Sequence, residues 1–523
     1  MNTRQRMEAL RGRQTTPAAP VGLAVPPAAI PAWPQRPSFC PPGMEPRGGE
    51  CVAAVCAPRA HPLADLARNE ELADYERTVR GRFEAIVPTL KQIAAIQHES
   101  GFEARAQALA QERLGFALPE DVLQDAWVTT LDMRRLYGHA VLATYERLAH
   151  AFADRWSRPG EVEAMQRFFI ECGFHEVDIS PCADGRLKGL LPFVLRLPRG
   201  AVHRKAYAGA LFDVELNVRH WTDTELRRWR EGVPTLPEAG TRYLKIAVYH
   251  FSGSDPTHEG CAAHGSDERR AAQAALDRLA AFRTAIENGF CCGASVATLL
   301  IGVDTDNDAI RVHVPDAQGE MSVDCYVDNL ALYRRTVDLP LSEARQRVAE
   351  AVAEAARGAG RSRPEAGMER LIERLITHNL SQIDYVCAHH AGRYRDIGHA
   401  ERFINLGDSL DEVHLRNLAY FAHLYTIEEG AADLDVGIRI FSQLNVARGL
   451  PVPIAIHYRY DGRVPGSRER AVARCRRIGA AVVARYPELA RQGLLYIGMT
   501  VQDKRTGSSL ETVTDSERES QKH

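Results

Sequence analysis

The sequence predicts an α/β protein with an all-helical N-terminal domain, and three observations lead to this prediction. Apolar residues recur every three or four positions from Pro62 to about residue 154, as in amphipathic helices. Short apolar strands alternate with helices from about 161 to 394, which is typical of a mostly parallel sheet covered by helices. A similar frame returns from about 398 to 517. The predicted parts are an arm over 1–60, a helical domain over 61–155, an α/β domain over 156–396 and a related α/β domain over 397–523.

The composition of the 523-residue chain is that of an ordinary globular protein, with 45% hydrophobic and 25% charged residues. A formal net charge of −3 gives no overall attraction to nucleic acid or to an anionic membrane. No apolar run approaches the ~20 residues of a transmembrane helix. No hydrophobic core of a signal peptide follows Met1 to Gln14, so we do not expect export. The eleven cysteines have irregular spacing, which favours a reducing cytoplasm over a disulfide scaffold.

The arm over 1–60 differs in composition from the rest of the chain. It holds eleven of the 28 prolines, and its seven arginines against three glutamates give it a charge of +4. Such a segment cannot bury enough apolar surface to fold alone, so we predict that it is disordered. Two roles stay open at this point. The arm is either a solvated tail or a tether that docks on a partner through its arginines and isolated apolar residues such as Trp33 and Phe39.

A first candidate cluster follows the predicted strand that ends at Ser180-Pro181. Cys182, Asp184 and Arg186 stand at alternate positions, and in an extended segment such positions project to one side. A thiolate binds soft metals, a carboxylate accepts hydrogen bonds, and an arginine holds that carboxylate ionised. Alone, a triplet of this kind is more often a surface turn than a site.

Two further residues turn this cluster into a candidate metal site. His250 ends the predicted strand Tyr243–His250, and Cys261 precedes the predicted helix Asp267–Asn288. The carboxyl ends of parallel strands form the usual binding crevice of an α/β sheet. A catalytic zinc needs three protein ligands and one open position, so Cys182, His250 and Cys261 form a suitable set. The acidic run Asp304–Asp308 lacks the twelfth-position glutamate of an EF-hand, and we predict a solvated loop there.

The C-terminal part repeats the frame of the preceding domain without its thiolates. The run from Pro453 to His457 matches the strand that begins at Lys245, and aligning Phe403 with Asp178 places Gly407 opposite Cys182. No cysteine there corresponds to Cys261. We therefore predict that this second copy binds no metal.

Seven longer runs together resemble the β-type carbonic anhydrases, and more closely the divergent carboxysome-shell carbonic anhydrase family. These runs are Asp178–Leu190, Arg242–His250, Asp255–Ser266, Leu300–Arg311, Asn379–Tyr385, Ile397–Arg402 and Pro453–Tyr460. The resemblance covers roughly residues 60 to 515. It implies two related β-carbonic-anhydrase-like α/β halves, the second without a metal site.

The resemblance also implies a reaction and the residues that carry it. It implies reversible hydration of CO2 to bicarbonate by zinc-bound hydroxide, with one Zn2+ per chain held by Cys182, His250 and Cys261. Asp184 would orient the nucleophile, Arg186 would pin Asp184, and His399 is a candidate proton relay, although a structural role for His399 stays open. The active site of this family lies between two like halves, which a fused pair supplies within one chain.

The same resemblance implies a location and partners for the protein. It implies a carboxysome in the bacterial cytoplasm, where the arm attaches to the shell and to Rubisco and the enzyme dehydrates bicarbonate for Rubisco. A homodimer or a multiple of dimers is expected, with no nucleic acid and no membrane as partner.

Two alternatives remain beside this interpretation. His258 satisfies the usual His-x-x-Cys spacing to Cys261, but His250 ends its strand as the family's histidine does, and we favour His250. A protein of another class, a structural zinc-containing scaffold of a bacterial microcompartment, would use the same ligands. A thiol redox enzyme would need a Cys-x-x-Cys pair, and the sequence has none.

Overall fold

A computed structural model describes residues 44–47, 50–53, 59–152, 160–233, 240–257, 259–290, 296–394, 401–408, 416, 418–422, 427–504 and 509–513. His258, His399 and most of the arm lie outside these residues, so the predictions that concern them are not addressed by the fold. Within the arm, β1 (Met44–Arg47) and β2 (Glu50–Ala53) form an antiparallel hairpin that the composition of the arm did not predict. The arm up to Ala53 and the remainder of the chain are separate compact units.

The N-terminal region of the second unit is helical, as predicted. Its helices are α1 (Leu66–Glu84), α2 (Ile86–Ala95), α3 (Phe102–Arg113), α4 (Glu120–Asp125) and α5 (Met133–Ala151). Aspartates begin two of them: Asp65 accepts a hydrogen bond from the Arg68 amide, and Asp132 accepts from the amides of Arg134 and Arg135. Among the described residues, no helix of the chain is long and apolar enough to cross a bilayer.

A six-stranded mixed sheet forms the middle of the chain. Its strands are β3 (Phe174–Pro181), β4 (His203–Arg204), β5 (Arg242–Phe251), β6 (Val296–Asp304), β7 (Ile310–His313) and β8 (Tyr326–Asp328). They lie in the order β4-β3-β5-β6-β7-β8, with the first four parallel and the last two pairings antiparallel. The accompanying helices are α6 (Glu161–Glu171), α7 (Val214–Arg230), α8 (Glu268–Gly289), α9 (Asn329–Thr336), α10 (Leu341–Gly358) and α11 (Ala366–His390). All nine residues of β6 are buried, as expected of a central strand covered on both faces.

A second, five-stranded sheet follows in the C-terminal part. Its strands are β9 (Phe403–Gly407), β10 (Ala419–Ala422), β11 (Val452–Tyr460), β12 (Leu495–Asp503) and β13 (Glu511–Thr512), with helices α12 (Ile427–Leu444), α13 (Ser467–Arg485) and α14 (Pro487–Arg491). The order is β10-β9-β11-β12-β13, parallel except for β13. This order and these directions are the same as in the first five strands of the six-stranded sheet. The α/β class with a helical N-terminal region is thus confirmed.

The segment Asp304–Asp308 is buried, so the prediction of a solvated loop was wrong. Asp304 accepts hydrogen bonds from the amides of Gly253 and Asp306, at 3.1 and 3.0 Å. Asp308 forms an ion pair with Arg416 at 2.8 Å. Burial, together with the neighbouring charge of Asp306, raises the pKa of Asp304 to about 7. A run of carboxylates in a sequence is expected to be exposed unless other groups bond it. Here the amide of Gly253 and the side chain of Arg416 do so, and both come from distant positions in the chain.

Candidate metal centre

The three predicted ligands meet at the carboxyl ends of two neighbouring parallel strands. Cys182 follows β3 directly, His250 lies near the end of β5, and Cys261 follows the loop after β5. One sulfur or ring nitrogen from each lies within 4.8 Å of the other two. All three side chains are buried, with 5%, 1% and 3% of their surface exposed. The pairing of β3 with β5 brings Cys182 and His250 together, and the loop after β5 adds Cys261.

The backbone around both cysteines is fixed by hydrogen bonds. The amide of Cys182 donates to the carbonyl of Val248 at 2.9 Å, which continues the pairing of β3 with β5 by one residue. Cys261 begins a 3-10 turn, Ala262–His264, and its carbonyl accepts from the amides of His264 and Ser266. These bonds fix the backbone from which each thiol projects, and little conformational entropy remains to be lost when a ligand binds.

The chemistry of this donor set fits a zinc ion. The two thiols hydrogen-bond each other, which raises the pKa of Cys182 and lowers the pKa of Cys261; burial adds to the rise at Cys182. The ring nitrogen Nδ1 of His250 is buried and has no hydrogen-bond partner in the described part of the chain. Both cysteines are free thiols. Two sulfurs and one imidazole nitrogen are the ligand types and the number that a catalytic zinc site uses.

Asp184 and Arg186 form a buried, bidentate pair beside the three ligands. Arg186 donates from Nε to Oδ1 and from Nη2 to Oδ2 of Asp184, both at 2.8 Å. The Arg186 amide adds a third bond to Oδ1 at 2.9 Å. Burial alone would lower the pKa of Arg186, but the Asp184 carboxylate outweighs burial and raises this pKa. The second carboxylate oxygen lies 3.3 Å from Nε2 of His250, so the pair borders the ligand cluster.

The backbone between these two residues is not extended, so the expected alternation of side chains along a strand was wrong. Gly185–Leu187 form a 3-10 turn, and Asp184 caps it by accepting from the Arg186 amide. An aspartate followed by glycine favours such a turn because its side chain bonds the backbone two residues on. The turn folds Arg186 back onto Asp184. The three side chains therefore share one cleft for a different reason from the one predicted.

Arg186 also joins the site to the two loops around it. Its Nη1 donates to the carbonyl of Glu259 at 2.7 Å and lies 3.2 Å from the hydroxyl of Thr305. Its Nη2 lies 3.2 Å from Nε2 of His250. Thr305 belongs to the buried segment that the sequence predicted to be solvated. No local signal in the sequence indicated that Thr305 or Glu259 borders the site.

The second sheet forms one wall of the site. A side chain at Gly185 would lie 2.8 Å from Glu401 and 3.1 Å from the carbonyl of Ala419, so only glycine fits there. The amide of Phe421 donates to the carbonyl of Ala183 at 3.3 Å. Strand β10 therefore runs along the segment between Cys182 and Arg186. Sequence reasoning missed these contacts, although Glu401 lies in the run Ile397–Arg402.

Among the residues that the structure describes, no group of three possible metal ligands lies at the corresponding position of the second sheet. Gly407 pairs with His457 and contacts the ring of Tyr458, in a register equivalent to Cys182 beside β5. The structure brings together one other group, Asp178, His203 and His220, within 4.8 Å among the residues it describes. There the ammonium of Lys245 already lies 2.6 Å from Asp178. A cation that is already present on this carboxylate disfavours a metal ion.

A further histidine, His264, follows the predicted ligand Cys261 in the chain. It is buried, and its Nε2 lies 3.0 Å from the carbonyl of Gly209. His399, the predicted relay, and His258, the alternative ligand, lie outside the described residues.

Comparisons with known proteins agree with one another. Residues 61–153, 164–399 and 400–517 match the family models described as carboxysome shell carbonic anhydrase, N-terminal, catalytic and C-terminal. The chain is 50% identical over 461 residues to the carboxysome shell carbonic anhydrase of Halothiobacillus neapolitanus, covering 87% of this chain and 90% of that one. It is 49% identical to the protein of that name from Prochlorococcus marinus, with 87% and 90% covered. The relative from Parasynechococcus marenigrum is 47% identical, with 87% and 79% covered.

Proposed function

This chain belongs to the carboxysome shell carbonic anhydrase family, and from that premise we propose that it interconverts CO2 and bicarbonate with a zinc ion held by Cys182, His250 and Cys261. We expect it to work in the carboxysome of a bacterial cytoplasm. There the useful direction is the dehydration of bicarbonate, which supplies CO2 to Rubisco. The observation that carries the proposal is the convergence of two free thiols and one imidazole at the strand ends, bordered by the Asp184–Arg186 pair.

The residues around the ligands have distinct roles in this proposal. When bound, a zinc ion with one open coordination position supplies an activated water as a nucleophile near neutral pH. Asp184 would accept a hydrogen bond from the nucleophile and so orient it towards CO2. Arg186 keeps Asp184 ionised and, through two bonds of 2.8 Å, holds it where it cannot move in as a further ligand. His399 is proposed to carry the released proton away, because an imidazole titrates close to the working pH.

We further propose that the C-terminal half is a second, metal-free copy of the zinc-binding half. The shared strand order and directions support this, as does the register of the two sheets: Ile404 pairs with Ile454 as Ile179 pairs with Ile246. In that alignment Gly407 takes the place of Cys182. One chain then holds one zinc, and the two fused halves supply the interface at which a β-type site is built.

Partners follow from the family and from the arm. We propose that residues 1–60 attach the enzyme to the carboxysome shell and to Rubisco, with their charge of +4 directed to acidic surfaces. We also propose a homodimer or a multiple of dimers.

The test combines a metal count with CO2 hydration kinetics by stopped flow on the full chain. We expect one zinc per chain and hydration activity in the wild type. Cys182→Ala and Cys261→Ala should lose the metal and the activity together. Cys475→Ala is the matched control, because this buried thiol lies in α13 next to the Thr500 carbonyl and should keep both.

Each contrary result has a separate meaning. A chain that holds one zinc and shows no hydration would be a structural scaffold of the microcompartment. Retention of zinc by both cysteine variants would refute the ligand set. If His258→Ala removes the metal and His250→Ala does not, the choice between these histidines is wrong.

A further inference from the structure

Strand β10 of the second sheet places one tyrosine opposite Asp184. The amide of Phe421 donates to the carbonyl of Ala183, and the carbonyl of Ala419 lies 3.1 Å from the position that a β-carbon of Gly185 would take. The residue between Ala419 and Phe421 therefore stands opposite the residue between Ala183 and Gly185. That residue is Tyr420.

The hydroxyl of Tyr420 is buried and unbonded among the residues that the structure describes. Only 2% of the residue is exposed, and within the described part of the chain no donor or acceptor bonds its oxygen. The ring packs closely against Gly437, because a β-carbon added there would lie 2.7 Å from the Tyr420 ring and 3.2 Å from the Ile404 side chain. Buried polar groups in folded proteins are nearly always bonded, so an orphaned phenol indicates a missing ligand or water. A fixed, unsatisfied donor of this kind is a ready-made binding group.

The charges around this hydroxyl show where it lies. Burial raises the pKa of Tyr420 well above its usual value, and the neighbouring charges of Asp433, Cys182 and Asp184 raise it further. The hydroxyl is therefore close to a predicted ligand and to the residue that borders the ligand cluster. It keeps its proton at every working pH and can act only through that proton or its own lone pairs. Both oxygens of Asp184 already accept from Arg186.

We propose that Tyr420 donates a hydrogen bond from its hydroxyl to an oxygen of a bicarbonate bound beside Asp184. This inference rests on the proposed carbonic anhydrase function and deepens it, because it assigns part of the substrate pocket to the C-terminal half. The ligand is a small planar anion with several acceptor oxygens. A single uncharged donor at a fixed position orients this anion and adds little charge to the site. The metal-free half thus contributes a substrate contact.

The test compares Tyr420→Phe with Tyr333→Phe as the matched control. Each variant removes one buried phenol oxygen and keeps the ring; the Tyr333 hydroxyl lies 3.2 Å from Asp384, away from the ligands. Each protein is loaded with Co2+ in place of zinc and titrated with azide and then with bicarbonate, followed by visible absorption. We expect Tyr420→Phe to weaken both anions about three- to tenfold, the range of one net hydrogen bond. Metal content should not change.

Two further readouts separate a substrate contact from a structural role. Tyr420→Phe should keep or raise the urea midpoint, because its hydroxyl has no partner to lose, whereas Tyr333→Phe should lower it without changing anion affinity. In zinc-loaded enzyme, the KM for bicarbonate should rise more than kcat falls. In addition, 3-fluorotyrosine can be placed at position 420 of the otherwise wild-type protein. Its 19F NMR signal should shift when azide binds the metal-loaded form.

The outcomes distinguish this inference from the proposed function. If the wild type holds metal and hydrates CO2 but Tyr420→Phe leaves the anion affinity and the KM unchanged, the inference alone is overturned. A fluorine signal that does not respond to azide would overturn it even if the phenylalanine variant failed to fold. A wild type without metal or without hydration would instead refute the proposed function.

Discussion

Replacing Asp184 by asparagine should destabilise the fold and abolish hydration while the ligand set stays intact. The two side chains have nearly the same shape, so the change removes charge rather than volume. The amide oxygen can still accept from Nε of Arg186. The amide nitrogen, however, meets Nη2, and two donors then face each other where a bond of 2.8 Å had been. Arg186 remains ionised, with only 2% of its surface exposed and no carboxylate bonded to it.

The magnitude follows from the burial of the pair. Removing one partner of a buried ion pair costs roughly 3–5 kcal/mol, because the remaining charge is left uncompensated in the interior. That cost corresponds to about 10²- to 10⁴-fold in the unfolding equilibrium at 1.4 kcal/mol per decade. A domain of ordinary stability, roughly 5–15 kcal/mol, stays folded but loses much of its margin. We also expect hydration to fall roughly 10²-fold or more, the usual effect of removing one preorganised hydrogen-bonding group from an active site.

Equilibrium urea unfolding of the metal-free protein measures the first effect, and metal analysis with stopped-flow hydration measures the second. The double variant Asp184→Asn/Arg186→Met supplies the control, because it also removes the uncompensated cation. It should be more stable than Asp184→Asn alone and should still be inactive. A loss below 1 kcal/mol in the single variant, or no recovery in the double one, would refute the pairing argument. Full hydration activity in Asp184→Asn would show that another group orients the nucleophile.

Two further predictions concern stability. Burial lowers the pKa of His313 and of His378 to about 4, below the ~6.5 of an unfolded histidine, so their stabilising contribution is complete above about pH 6.5 and is lost as the pH falls towards 4. At pH 5 each histidine should lower the free energy of unfolding by roughly 2 kcal/mol relative to neutral pH. Urea unfolding of His313→Gln should therefore show a smaller loss of this free energy between pH 7 and pH 5 than the wild type shows. An equal loss in the two proteins would contradict the assignment. Lys245→Met leaves the buried Asp178 carboxylate without the ammonium at 2.6 Å and should lower the free energy of unfolding by roughly 3–5 kcal/mol. The double variant Asp178→Asn/Lys245→Met should recover part of this loss, and zinc content should not change in either.

Most regular elements around the site were predictable from the sequence because their signals are local. The predicted strand Tyr243–His250 agrees within one residue at each end with β5, Arg242–Phe251. The predicted helix Asp267–Asn288 agrees equally well with α8, where Asp267 turns out to be the cap. Apolar runs and capping residues act over a few positions, and a sequence displays them directly.

The surroundings of the site were not predictable in the same way, because they depend on distant contacts. The turn at Gly185–Leu187 exists because Asp184 bonds the amide of Arg186, whereas the alternation of residue types indicated a strand. The acidic segment after β6 is buried because Arg416, more than 100 positions later, pairs with Asp308. No local pattern marks Tyr420 or Glu401 as neighbours of the site. The ligand roles of Cys182, His250 and Cys261 remain predictions, and the structure supplies their proximity.

The C-terminal part of the chain contributes shape and hydrogen bonding to the neighbourhood of the candidate site. On one side, β10 lines the segment from Ala183 to Gly185 with the amide of Phe421 and the carbonyl of Ala419. On the other side, Arg416 bonds Asp308 and the carbonyl of Thr305, whose hydroxyl lies 3.2 Å from Arg186. Both supports end at the Asp184–Arg186 pair and not at the thiols. The C-terminal part of the chain therefore supports the candidate site at this pair, through the contacts of β10 and of Arg416.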